Sequence, residues 1–186
     1  MTRTKEYIEI MQKIFNREAP VEHEGFHYSM PYSAEDGTGL GKPLKSILQA
    51  DPSIKIYTAS ITPKGLETAA EVADGVFPIW MSPEKSNVLM SSIQKGLDKG
   101  GKTMMDFDIA PFVTVVMGDD VDHCRMPIKG SMALYIGGMG ARENNFYNDY
   151  AKALGYEEAA AKIQDLFLAG KKDEAMAAVP DELVDA

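Results

Sequence analysis

Two stretches of this chain repeat one order of events, and that order limits the fold more than any other feature. Residues 54–61 form a short apolar run rich in β-branched side chains, which suits a buried strand. Thr62 then stands at a helix N-cap position, and Pro63 suits a first helical turn, where a missing N–H loses no partner. Leu66, Ala69, Ala70 and Val72 carry the helix on to a stop at Asp74-Gly75. Residues 75–81 make a second apolar run. Ser82-Pro83-Glu84 repeats the cap-and-proline start, a helix runs to about Asp98, and Gly100-Gly101 ends it. Residues 108–117 make a third run. Strand, helix, strand, helix, strand with short connections predicts parallel strands joined by right-handed crossovers. A doubly wound sheet and a TIM barrel both satisfy it.

The flanks differ. Residues 5–15 place Tyr7, Ile8, Ile10, Met11, Ile14 and Phe15 at helical spacing. Residues 16–53 carry many Gly and Pro marks and predict a long excursion with little regular structure. Residues 120–180 predict only helices, including 156–168 and 172–179, with no repeat or linker. The chain is therefore expected to form a single domain. With 186 residues it is shorter than a complete (β/α)8 barrel of about 250.

A net charge of −9 argues against nucleic acid and anionic membrane surfaces, which need clustered Lys and Arg. A single cysteine, Cys124, excludes an internal disulfide and fits a reducing cytoplasm. No apolar window approaches the ~18 residues of a membrane span.

Residues 58–64 close a predicted strand and open a helix, the edge where α/β folds bind ligands. A helix N-terminus attracts anions and Lys64 adds charge, so the segment reads either as an anion site or as an ordinary capped turn. Gly37-Thr38-Gly39-Leu40-Gly41 has a phosphate loop's composition without its spacing. His23 and His27 lack a third metal ligand, and no metal site is expected. Cys124 reads as a small core residue. Tyr135 to Gly140 reads as close helix packing, and Asp119-Asp120 as a helix cap.

Several stretches together resemble one family. Residues 3–10, then Gly25-Phe26-His27-Tyr28 and residues 39–45, look like the helix and loop midway along luciferase-like oxidoreductases. Residues 54–64 and 70–75 resemble that family's fifth strand, fifth helix and entry to the sixth strand. Residues 133–140, Asn145-Phe146, Gly155-Tyr156 and residues 179–184 resemble the actinobacterial-type subgroup that uses coenzyme F420.

The resemblance implies an α/β chain forming part of a TIM barrel: family strands five to seven plus a helical C-terminal region. It implies F420, or alternatively FMN, as cofactor, with hydride transfer to an organic small-molecule substrate or flavin-dependent monooxygenation. The cofactor's phosphate end would meet Ser60, Ile61, Thr62 and Lys64, although family members often have Gly at the positions of Ile61 and Thr62. Trp80 and Ser82 would line the substrate pocket. The family's first four strands and its eighth are expected outside this chain, and the catalytic residues with them. Three strands cannot close an eight-stranded barrel. A fragment or truncated product is therefore expected, one that forms homo-oligomers or associates through exposed sheet edges. The alternative is a non-catalytic remnant or binding module whose partner supplies the missing strands.

Overall fold

The computed structural model describes residues 1–37 and 40–186; Thr38 and Gly39 of the glycine-rich loop lie outside the described residues. The chain divides into two compact units. The first comprises Met1–Ala59, Lys64–Val76 and Ile93–Ile109; the second comprises Ser60–Pro63, Phe77–Ser92 and Ala110–Ala186.

The first unit opens with helix α1 (Thr2–Asn16), which buries Ile8 and Ile10. The excursion after it has more structure than its Gly and Pro content predicts. Strands β1 (His23–Glu24) and β2 (Ser29–Met30) pair as an antiparallel hairpin, and Val21 bridges Leu44. Glu6 organises this hairpin. Its buried carboxylate accepts the N–H groups of Phe26 (3.0 Å), His27 (2.9 Å) and Tyr28 (2.9 Å). No local pattern announces such a bond between residues twenty positions apart.

Strand β3 (Tyr57–Ala59), helix α2 (Pro63–Val72), strand β4 (Gly75–Phe77), helix α3 (Asn87–Gly100) and strand β5 (Asp108–Ile109) follow in the expected order. The three strands form one parallel sheet in the order β3-β4-β5, with Gly75 opposite Asp108 and Val76 opposite Ile109. The sheet does not close into a barrel. All three strands are shorter than the apolar runs at 54–61, 75–81 and 108–117. Two of them stop against proline, Pro78 after β4 and Pro111 after β5, and proline has no N–H to give to a ladder. Pairing resumes only as the single bridge Ile79–Phe112, where Phe112 N–H donates to the Pro78 carbonyl at 3.1 Å. Beyond it residues 113–117 have no strand neighbour, and Met117 is 90% exposed. Helix α3 begins at Asn87 rather than at Pro83; residues 82–86 form turns, and the Ser82 hydroxyl donates to Glu84 (3.0 Å). In the first unit α2 buries Leu66, Ala69 and Ala70, and α3 buries Ile93 and Leu97.

The second unit is helical beyond residue 120, as its sequence predicts: α4 (Val121–Gly138), α5 (Phe146–Ala153), α6 (Glu157–Leu168), α7 (Lys172–Ala177) and α8 (Asp181–Asp185). Asp120 caps α4 by accepting the N–H groups of Asp122 and His123. At Gly137 an added Cβ would sit 2.5 Å from Phe167 Cβ, so α4 packs backbone-close on α6. Cys124, expected in the core, is half-buried.

A candidate ligand cavity

The second unit carries a half-open cavity of ≈ 560 Å³. The chain reaches its wall through Pro78 and Ile79, and Trp80 then turns left-handed, with φ of 52°. For a bulky side chain that conformation costs about 1–3 kcal/mol and persists only where neighbours hold it. One such neighbour is Tyr150 on α5. Its buried hydroxyl donates to the Trp80 carbonyl at 3.1 Å. Burial alone pushes the Tyr150 phenol up to about 12, so it stays a donor across the physiological range.

Trp80 belongs to an aromatic cluster. Its ring centroid lies 6.0 Å from Tyr135 with the planes at 80°, and 5.8 Å from Tyr147. Tyr135 and Tyr147 meet edge to face at 4.7 Å. Asn145 caps α5 and also donates to the carbonyls of Tyr135 and Ile136, which ties the end of α4 to the start of α5. Met132, Phe112 and Ile128 extend the apolar wall, and Ser82, Ser131 and Thr114 bring hydroxyls to it. Lys85 also lines the cavity. Its ammonium donates to the Leu154 carbonyl and lies 4.2 Å from the centre of the Tyr156 ring.

Of the residues expected to touch a ligand, Trp80 and Ser82 lie on this cavity, whereas Ser60, Ile61 and Thr62 belong to the same unit but do not line it. Lys64 lies in the first turn of α2, in the other unit. Its side chain is 66% exposed and pairs with Glu67 at 3.0 Å. Glu67 also takes Lys99, and bonds from Lys99 and then Lys64 hold its carboxyl below the usual range. The charge of Lys64 is thus already shared with a neighbouring acid. Sequence reading missed Tyr135, Tyr147, Tyr150 and Lys85. The spacing of Tyr147 and Tyr150, three apart on one helix, marks a shared face, but nothing local marks Trp80 as their target. Among the described residues no group of three His, Cys, Asp or Glu side chains could hold a metal. No helix among them is long and apolar enough to cross a membrane.

A family model described as luciferase-like monooxygenase matches residues 1–186. A protein of Mycobacterium tuberculosis named as a coenzyme F420-dependent oxidoreductase is 40% identical over 190 residues, covering 100% of this chain and 54% of the relative. The 5,10-methylenetetrahydromethanopterin reductase of Archaeoglobus fulgidus is 29% identical over 139 residues, 74% of this chain and 38% of its own. Among solved structures, the F420-dependent tetrahydromethanopterin reductase of Methanopyrus kandleri superposes with a TM-score of 0.71 at 21% identity, over 100% of this chain and 49% of that one. An F420-dependent secondary alcohol dehydrogenase, solved with an F420-acetone adduct, gives 0.53 at 16% identity over 92% and 52%. The chain spans about half the length of most of these proteins.

Proposed function

Because the chain belongs to the luciferase-like monooxygenase family, we propose that it is part of an oxidoreductase that moves a hydride between coenzyme F420 and a small organic substrate. The observation that carries this reading is the aromatic cavity of the second unit. Its wall fits a planar ring or substrate: aromatic side chains and thioethers line it, and hydroxyls offer a few hydrogen bonds. Trp80 and Ser82 are the residues proposed for the substrate. Ser60, Ile61, Thr62 and Lys64 are proposed for the phosphate-bearing tail, where a helix start and a lysine favour an anion. When bound, the deazaflavin would supply the hydride acceptor or donor. This chain's part is to orient the substrate and keep water from it.

Lys64 and the start of α2 contribute roughly 1–2 kcal/mol to anion binding, too little to hold the cofactor unaided. The chain alone is therefore expected to bind F420 weakly. Joined to the portion of the Mycobacterium relative that it does not cover, it is expected to bind F420 and to bleach the deazaflavin absorbance when an alcohol substrate is oxidised. In that fusion Lys64→Glu should weaken binding by about tenfold. A fusion that folds but takes up neither F420 nor FMN would sink the proposal.

A second reading rests on the exposure of Phe112 (70%), Val113 and Val115 (76% each) beyond β5. An apolar sheet edge of this kind suits association with another polypeptide that supplies further strands. Sedimentation of the purified chain tests it: a monomer at every concentration counts against association.

A further inference from the structure

We propose that Tyr150 is a positioning residue whose hydroxyl, bonded to the Trp80 carbonyl, holds Trp80 left-handed and so presents its indole as the recognition face for a planar ligand. The proposal rests on the cavity being the ligand site, as argued above.

Two observations define the hold on Trp80. Trp80 is one of two non-glycine residues with positive φ among the described residues, and the other, Arg17, ends helix α1. A left-handed residue after a helix is an ordinary cap, whereas a tryptophan left-handed on a cavity wall needs an external hold. The Tyr150 hydroxyl supplies a bond to that carbonyl, and Tyr135 and Tyr147 pack against the indole itself.

A carbonyl or hydroxyl on a flat molecule can use Ser82, Ser131 or Thr114 at the cavity wall. Lys85 keeps its positive charge there, because the Leu154 carbonyl and the Tyr156 ring engage its ammonium without neutralising it.

Trp80 is the chain's only tryptophan, so its fluorescence reads the proposal directly. The full chain, wild type and Tyr150→Phe, is titrated with 2-methyl-1,4-naphthoquinone, a neutral planar quencher. Circular dichroism and cooperative melting check that the variant folds. In Tyr150→Phe the emission is expected to move to longer wavelength and to be more readily quenched by acrylamide. Its affinity for the neutral quinone should fall about fivefold, the scale of one lost aromatic contact. Unchanged emission and affinity in folded Tyr150→Phe overturns the positioning role. No binding of the quinone by the wild type overturns the ligand class. Should Tyr150→Phe not fold, Trp80→Phe replaces it, read by equilibrium dialysis of the neutral quinone; unchanged affinity there also overturns the proposal. Failure of the proposed activity has a different signature: these signals stay intact while the fusion takes up no F420.

Discussion

Asn145 donates its side-chain N–H to the Ile136 carbonyl at 3.0 Å, from nine residues further along the chain and from within the buried interior. The same amide donates to the Tyr135 carbonyl, and its oxygen accepts the N–H groups of Tyr147 (3.0 Å) and Asn148 (3.1 Å). One side chain therefore starts α5 and closes the end of α4. Asn145→Ala removes a helix cap, worth about 1 kcal/mol, and two bonds to the end of α4 worth about 1 kcal/mol more, while the Asn148 amide still donates to the Ile136 carbonyl at 3.1 Å. A loss of about 1–2 kcal/mol is expected in urea denaturation. A loss below about 0.5 kcal/mol would show that water replaces these bonds at little cost.

Gly96 lies inside helix α3, where propensity alone says that alanine would stabilise by up to about 1 kcal/mol. Packing says the opposite. A Cβ there would meet the Glu67 carbonyl oxygen and lie 2.7 Å from the Ala70 Cβ, both on α2. Gly96→Ala is expected to lower stability by about 1–3 kcal/mol. A raised melting temperature would mean that α2 and α3 can separate freely.

Glu6 connects stability to acid. Burial pushes its carboxyl up, but the backbone N–H groups of His27, Tyr28 and Phe26 outweigh that and leave it below the ordinary value of 4.5. A depressed carboxyl stabilises the fold above its unfolded value and loses that contribution as pH falls through the folded one. Urea midpoints should therefore fall as pH drops below 4.5. Glu6→Gln should be less stable than wild type at neutral pH and should show a shallower acid slope. Parallel acid slopes for the two proteins would remove Glu6 from this role.

Tyr150 sets the alkaline side. Burial raises its phenol from 10.0 to about 12, so the folded chain holds this proton more tightly than the unfolded one. Its contribution is complete below pH 10 and is lost as pH rises toward 12. Denaturation midpoints measured across that range should fall more steeply for the wild type than for Tyr150→Phe. An equal fall in both proteins would place the alkaline sensitivity elsewhere.

The order of elements from residue 54 to residue 109 was determined locally. Pro63 at a helix start, the small and apolar residues of α2, and β-branched runs before each turn act within a few residues, so they can be read without the fold. The helical character beyond residue 120, the cap at Asp120 and the approach at Gly137 were legible for the same reason. Family kinship was legible too, because ordered motifs along one chain survive without coordinates. Strand length was not: the apolar run at 108–117 describes side chains, whereas a strand needs a neighbour's backbone, and only Asp108–Ile109 has one over consecutive residues. The hairpin on Glu6 and the aromatic wall depend on partners twenty and seventy positions apart. The local chain around Trp80 names an aromatic near a strand end. Only the packing of α4 and α5 decided that it would be left-handed, bonded to Tyr150 and facing a cavity, because those are properties of segments brought together by folding.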